Sequence, residues 1–224
     1  MTLESEALSK ALEAAKDYAD SILKAPLNQV GGMLADTVGY WRLKNRVRLM
    51  LKAKEWLEAR QIKPEKLMPD IFVPLIEDGG NAEDETLAGM FASLLATHLD
   101  PQQQENVHPS YTKVLAQISP VDAKVLLEYR RYVSYAGARE VGLRGGGLPV
   151  EMIAKELSLP IRVAFLSTLN LWRLGIIERR GYRHPEQHPI PTVFENSPEH
   201  QLYVTTEYGI AFSDACQYDK RVSN

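Results

Sequence analysis

The sequence predicts a mainly α-helical protein, with a helical region over residues 1–118 and a winged-helix domain with a small β-hairpin wing over residues 119–224. Three observations support this prediction. Apolar residues recur at helical spacing through most of the first half. Two short helical patterns in the second half are separated by about four residues, as in a helix-turn-helix. Two strand-like segments then flank a proline-rich loop.

The chain begins with two amphipathic helical patterns. Residues 3–23 carry an apolar stripe opposite a charged face, and Pro26 ends this pattern. After the pair Gly31–Gly32, helical spacing resumes at Met33 and continues to Ala59. We expect this second segment to be the longest helix.

The rest of the first half contains a proline-rich segment and then a helix with a well-marked start. Residues 63–74 contain three prolines, so a helix there must be short or start at a proline. The next predicted helix runs from Asp84 to His98, with Asn81 as its N-cap and Pro101 beyond its end. A short helix follows over residues 111–118.

From Pro120 the pattern changes to that of a winged helix. A helix is predicted over residues 122–135 and a glycine-rich loop over 137–147. The remaining predicted elements are helices over 149–157 and 158–174 and strands over 175–183 and 200–212. The second of these helices takes the recognition position of a helix-turn-helix.

The composition is that of a folded protein without disulfides. The 224 residues are 45% hydrophobic and include one cysteine, Cys216, so no disulfide can form within the chain. The acidic N-terminus differs from a secretory signal, and no run of roughly 18 apolar residues occurs. The net charge of -3 is not that of a strongly basic nucleic-acid binder. We expect a cytoplasmic protein.

Three sequence blocks occur in a recognisable order. Residues 26–57 read PLNQVGGMLADTVGYWRLKNRVRLMLKAKEWL, and residues 87–101 read LAGMFASLLATHLDP, a helix ending in Asp-Pro. Residues 108–126, HPSYTKVLAQISPVDAKVL, combine a His-Pro-Ser-aromatic turn with a serine-proline-any-aspartate-alanine block. Together these blocks resemble the abortive-infection alpha (Abi-alpha) family. In one departure, Met90 and Phe91 stand where a tryptophan is common, and they keep a large apolar group there.

The resemblance implies a bacterial role in phage defence. Members of the family are associated with phage resistance in which an infected cell stops growing or dies. The resemblance carries no catalytic residues onto this chain, so it informs on biology more than on chemistry.

A run of bases in the second predicted helix is the first candidate site. Three interpretations are open: a solvated or salt-bridged face, a contact to an anionic membrane, or a contact to nucleic acid or an acidic protein. Tyr40 and Trp41 favour the membrane because amphipathic aromatics suit interfaces. The bases are Arg42, Lys44, Arg46, Arg48, Lys52 and Lys54.

The predicted recognition helix is the second candidate site. A DNA reader projects polar side chains from this helix and places bases of the wing on phosphates. The polar candidates are Arg162, Ser167, Thr168, Asn170 and Arg173, and the wing candidates are Arg179, Arg180 and Arg183. The helix is otherwise crowded with apolar residues, which fits protein contact about as well as DNA contact.

Other patterns do not make a site. The pair Gly31–Gly32 matches neither phosphate-loop nor dinucleotide spacing. The acids of residues 83–85 are explained by the dipole of the helix that they precede. A zinc site would need His184, His188, His200 and Cys216, but the first two lie in a proline-rich loop where helical spacing does not apply. We expect no metal, no cofactor and no enzymatic activity.

The hypothesis from the sequence is a non-enzymatic phage-defence sensor or effector that contacts a protein or nucleic acid. One alternative is a transcriptional regulator that binds DNA through the winged helix. Another is an effector at the inner membrane face that uses the helix containing Trp41. The oligomeric state, the phage trigger and the fate of the host cell stay open.

Overall fold

The computed structural model describes residues 3–24, 40–104, 107–134, 147–180 and 202–218. The chain divides into two compact units: unit 1 comprises residues 1–117 and 214–224, and unit 2 comprises residues 118–213. The described residues are mostly helical and include one three-stranded antiparallel sheet. The prediction of a mainly α protein is therefore confirmed.

Unit 1 is built around a buried helix. Its described helices are α1 (Leu3–Ile22), α2 (Tyr40–Ala59), α3 (Pro69–Gly80), α4 (Glu85–Leu99) and α5 (Tyr111–Leu115). Every residue from Met90 to Asp100 is buried, and α2 packs against α1, α3 and α4. From Met90 onward α4 is enclosed, and its polar residues Ser93, Thr97 and His98 are buried with the apolar ones.

The helix boundaries in unit 1 agree with the sequence patterns to within a few residues where the structure describes them. Helix α3 begins at a proline, as predicted, but continues through Pro74 for a full twelve residues. The predicted start of α2 at Met33 and the pair Gly31–Gly32 lie outside the described residues. The described part of α2 ends at Ala59, as expected.

The predicted N-cap of α4 was wrong. The side chain of Asp84 caps the helix, because its Oδ1 accepts hydrogen bonds from the backbone N–H groups of Thr86 and Leu87 at 2.9 and 3.1 Å. Asn81 instead follows α3, and its Nδ2 donates to the Glu77 carbonyl at 3.1 Å. The short loop places two cap-forming residues close together, so composition alone does not separate them.

Unit 2 combines three helices with a small sheet before the final helix. Its elements are α6 (Pro120–Ser134), β1 (Leu148–Pro149), α7 (Val150–Glu156), α8 (Ile161–Arg173), β2 (Ile177–Arg180), β3 (Leu202–Thr205) and α9 (Glu207–Ala215), of which the last two residues belong to unit 1. The strand order is β1-β3-β2, with both pairings antiparallel. Helices α6 and α7 pack against α8.

Strand β1 was not predicted from the sequence, and the last predicted strand, over 200–212, was too long. Strand β1 has two residues, too few to show alternation. The predicted strand over 200–212 ends at Thr205, and Thr206 starts α9 because its Oγ1 accepts a hydrogen bond from the Gly209 N–H at 2.9 Å. A Cβ at Gly209 would lie 2.0 Å from the Ile176 carbonyl oxygen, so this glycine permits close packing rather than an extended strand.

Candidate interaction surfaces

Two of the α2 bases form ion pairs within unit 1. Arg48 Nη1 lies 2.5 Å from Glu85 Oε1. Lys54 Nζ lies 3.7 Å from Glu58 Oε1 and 5.7 Å from the centroid of the Tyr18 ring. These contacts correspond to the salt-bridged interpretation of the basic run.

Two further α2 bases pack on neighbouring groups. A Cβ at Gly80 would lie 2.6 Å from Arg46 Cγ, so the aliphatic part of Arg46 covers this glycine. Lys52 Nζ lies 5.3 Å from the centroid of the Trp56 ring, within the range of a cation–π contact. Four of the six bases therefore have contacts inside the unit.

The N-terminal end of α2 faces solvent. Trp41 is 39% exposed, and Arg42 and Lys44 are also exposed. Tyr40 is the first described residue of α2, but its side chain lies outside the described part of the chain. An exposed indole beside two bases is the arrangement on which the membrane alternative depends.

A glycine and a tight packing contact fix the C-terminal end of α8. Gly175 has a φ of 71°, and its N–H donates to the Trp172 carbonyl at 2.9 Å. The N–H of Ile176 donates to the Leu171 carbonyl at 3.0 Å, which completes a Schellman motif. Ile176 then packs against Gly209 of α9. The orientation of α8 is therefore set by its neighbours in unit 2.

Two polar candidates on α8 point inward. Ser167 and Thr168 are buried. Thr168 Oγ1 donates to the Ala164 carbonyl at 2.8 Å and lies 3.4 Å from the hydroxyl of Tyr129 on α6. Burial raises the pKa of Tyr129 well above its usual value, so this hydroxyl stays protonated. Ser167 and Thr168 thus belong to the core of unit 2 and are turned away from any outer partner.

Asn170 is held by hydrogen bonds on both sides of its amide. Its Nδ2 donates to Asp122 Oδ2 at 2.9 Å. Its Oδ1 accepts from Arg173 Nε at 3.1 Å and from Arg173 Nη2 at 2.9 Å. Asn170 therefore orients Arg173 on the surface of α8 and is itself oriented by a buried carboxylate.

The sequence analysis missed the role of Asp122. Its Oδ2 accepts from the Ser119 N–H at 2.8 Å, and its own N–H donates to Ser119 Oγ at 3.1 Å. This reciprocal pair caps α6, with Pro120 at the first helical position. The cap is visible in the sequence as Ser-Pro-Val-Asp, whereas the bond to Asn170 joins residues 48 positions apart and has no local signal.

The outward side of α8 is mainly apolar. Leu166 is 56% exposed, Trp172 is 50% exposed and Val163 is 37% exposed. Four side chains at positions i, i+4, i+7 and i+11 form one line along this side: Arg162, Leu166, Leu169 and Arg173. We call the surface made by Arg162, Val163, Leu166, Leu169, Trp172 and Arg173 the α8 outer face. Exposed apolar groups of this size on one helix are typical of contact surfaces.

The candidate bases of the wing are only partly described. Arg179 is exposed on β2, opposite Tyr203 of β3. Arg180 also lies on β2, but its side chain is outside the described residues. Arg183, His184, His188 and His200 also lie outside the described residues.

Unit 1 buries two polar arrangements that the sequence analysis did not find. Burial lowers the pKa of His98 to about 4, and its Nε2 has no hydrogen-bond partner among the described residues. Tyr218 donates from its hydroxyl to Asp100 Oδ2 at 2.9 Å, while the Arg60 guanidinium lies 3.9 Å from the Tyr218 ring centroid. Burial, followed by the bond to Asp100, raises the pKa of Tyr218 to about 12.

The blocks that carry the family resemblance have structural roles here. The Asp-Pro at the end of α4 supplies Asp100, which accepts from Tyr218 and from the Gln102 N–H at 2.9 Å. In the His-Pro-Ser turn, His108 Nδ1 accepts from the Ser110 N–H at 3.2 Å. With the Ser-Pro-Val-Asp cap, these contacts lie at helix ends within the second and third blocks.

The described residues contain neither a metal-binding group nor a membrane-spanning helix. Within them, no group of three or more His, Cys, Asp or Glu side chains is arranged to hold a metal ion. Among the helices of the same residues, none combines the length and the apolar character needed to cross a membrane.

Comparison with known proteins places the chain in a family. No curated protein and no solved structure matches it. The sequence model of the family called abortive infection alpha matches residues 44–216, from within α2 to just past the end of α9. Since this match covers most of the 224 residues, the chain belongs to the abortive infection alpha family.

Proposed function

We propose that this protein acts in abortive infection by binding a protein partner through the α8 outer face, without catalysing a reaction. The family supports a role related to abortive infection. The observation that carries the proposal is the reversal of polarity on α8: Leu166 and Trp172 are half exposed or more, whereas Ser167 and Thr168 are buried. A helix that presents apolar side chains to solvent gains free energy when a partner covers them.

We also propose that unit 2 is a winged helix. The element order α6-β1-α7-α8-β2-β3 and the strand order β1-β3-β2 support this assignment. Four residues, Leu157–Pro160, connect α7 to α8, as expected for a helix-turn-helix. In this assignment α8 is the recognition helix, and β2 and β3 are the strands of the wing.

DNA binding is the competing use of the same helix. Of the polar candidates on α8, Ser167 and Thr168 are buried, and the Asn170 amide already bonds Asp122 and Arg173. Base reading uses arginines as well as amides and hydroxyls, and of the polar candidates on α8 only Arg162 and Arg173 are exposed. Leu166 would instead meet the polar groove and phosphates. Protein contact is therefore the better use of this surface.

The test is protection of cells against phage. Bacteria that express the wild-type chain are challenged with a panel of phages, and plaque numbers are compared with those of cells lacking it. Leu166→Asp should reduce protection by about tenfold or more, because a charge replaces a central apolar contact. Since Leu166 is exposed, this change should alter the free energy of unfolding by less than about 1 kcal/mol.

The matched control is Lys44→Asp, an exposed position on the other candidate helix. Protection by this variant should equal that of the wild type. Absence of protection against every phage in the panel would remove the defence role. Full protection by folded Leu166→Asp would remove the α8 outer face from the mechanism.

Contact with an anionic membrane is a second candidate function. The exposed Trp41 beside Arg42 and Lys44 favours it. Co-sedimentation with vesicles that contain anionic lipid, compared with neutral vesicles, tests this alternative. It predicts binding to the anionic vesicles only, reduced in Trp41→Ala, and no binding to either kind would reject it.

A further inference from the structure

The α8 outer face has basic ends and an apolar centre. Its two arginines, Arg162 and Arg173, are eleven positions apart, and Leu166 and Leu169 lie between them on the same line. At 1.5 Å per residue this separation is about 16 Å along the helix. Helix α8 contains no aspartate or glutamate. A partner that covers Leu166 and Leu169 must therefore also contact two positive charges, carried by residues about three helical turns apart.

The two arginines differ in how their side chains are held. Asn170 accepts two hydrogen bonds from Arg173 and is anchored on the buried Asp122. Arg173 is thus held near one position before binding, which lowers the entropy lost when a partner pairs with it. Asp122 and Asn170 are positioning residues for this contact.

The charge pattern disfavours a second copy of the same helix as partner. In an antiparallel pairing centred on the apolar stretch, Arg162 of one copy meets Arg173 of the other at both ends. In a parallel pairing each arginine meets its own equivalent. Both arrangements place like charges together at the edge of a desolvated contact, which costs binding free energy.

We propose that the partner of the α8 outer face is an acidic amphipathic helix of another protein, with an apolar stripe flanked by carboxylates about three helical turns apart. This proposal rests on the proposed function and names the chemistry of the partner. Leu166, Leu169 and Trp172 supply the apolar anchors. Arg162 and Arg173 select the acidic partner and set its register, because only carboxylates at matching spacing pair with both.

Two synthetic helical peptides test this proposal on the full chain. Both carry the same leucine stripe, and they differ only at two flanking positions eleven residues apart, which are glutamate in one peptide and lysine in the other. Titration calorimetry should show the glutamate peptide binding roughly tenfold or more tightly than the lysine peptide. The preference should weaken as salt is raised, since the charges lie at the rim.

Charge reversal on α8 supplies the decisive comparison. The double variant R162E/R173E should lose the preference for the glutamate peptide and bind the lysine peptide better than the wild type does. Lys155→Glu, an exposed reversal on α7, serves as the matched control and should leave the preference unchanged. Circular dichroism melting shows that each variant is folded.

Several outcomes would overturn the inference. Equal binding of the two peptides by the wild type, or binding of neither, contradicts an acidic partner. So does dimerisation that Leu166→Asp abolishes, or binding to a mixed-sequence DNA duplex that R162E/R173E abolishes. In cells the two proposals separate: if Leu166→Asp loses protection and R162E/R173E keeps it, the contact surface stands but the acidic partner does not.

Discussion

Helices α2 and α8 differ in where they direct charge and apolar surface. On α2, Arg46, Arg48, Lys52 and Lys54 contact groups within unit 1. On α8, polar Ser167 and Thr168 are buried while Leu166 and Trp172 face solvent. A run of bases in a sequence is therefore a weak indicator of an interface, because neighbouring elements can use the charges. Exposed apolar side chains on an ordered helix are a stronger indicator, and only the folded structure identifies them.

The largest expected effect on stability tests whether α8 is fixed by the close packing of unit 2. Gly209→Ala should lower the free energy of unfolding by about 3 kcal/mol or more, because the new Cβ would lie 2.0 Å from the Ile176 carbonyl oxygen. Gly89→Ala in unit 1 is the matched control, since the nearest atom to its Cβ, Lys52 Nζ, is 3.9 Å away. This change should stabilise α4 by about 0.5–1 kcal/mol. Chemical denaturation measures the free energy of unfolding of both variants. Equal changes in the two would contradict close packing at Gly209.

The buried histidine of unit 1 predicts a dependence of stability on pH. The pKa of His98 is lowered from 6.5 to about 4, so below pH 6.5 the unfolded chain gains a proton that the folded chain refuses. Stability should therefore fall as the pH drops from about 6.5 to about 4, by up to roughly 3 kcal/mol in total. The difference between wild type and His98→Gln across this range isolates the effect. Parallel stability curves for the two proteins would show that His98 is not buried in its neutral form.

A charge reversal on α2 and another on α8 test directly whether the bases of the two helices differ in their contacts. Arg48→Glu places a second carboxylate beside Glu85 and should destabilise the protein by at most about 1 kcal/mol, since both partners are substantially exposed. Arg162→Glu should leave stability within about 0.5 kcal/mol of the wild type, because the side chain is exposed at the surface of α8. Thermal melts at low and high salt give both values. Comparable losses in the two variants would place Arg162 in an internal contact.

The smallest expected effect concerns the turn before α8. Ser158 has a φ of 51°, in the left-handed region where a side chain is unfavourable. The turn closes when the Leu159 N–H donates to the Ala154 carbonyl at 2.8 Å. Ser158→Gly should stabilise the protein by about 0.5 kcal/mol, with Ser213→Gly, a buried serine of α9, as a destabilising contrast. Destabilisation by Ser158→Gly would contradict this turn geometry.

Local patterns in the sequence predicted the helices better than the contacts. The stripe of α1 and the start and stop signals of α4 gave boundaries within a few residues, because helical periodicity and capping are local properties. The two-residue strand β1 escaped detection because its pairing with β3 depends on residues far along the chain. Thr206 and Gly209 marked the start of α9, but the aromatic and β-branched residues from Tyr203 to Thr206 resemble a continuing strand and concealed this signal.

The sequence predicted which residues occur in the candidate sites. It did not predict which of their side chains are buried and which are exposed. The sequence located the polar and apolar residues of α8, but it did not show that Ser167 is buried or that Leu166 is exposed. It also gave no sign that Asn170 bonds Asp122. These facts depend on how α6 packs against α8, which is a tertiary property. The same holds for the ion pair of Arg48 with Glu85.

A substitution scan of α2 and α8, selected for survival of phage challenge and normalised for protein abundance, tests the central claim most directly. We predict that polar or acidic replacements at Leu166, Leu169 and Trp172 abolish protection while the protein remains abundant. Replacements at Arg42 and Lys44 should be tolerated. The opposite pattern, with tolerance on the α8 outer face and loss of protection at the exposed bases of α2, would contradict the account.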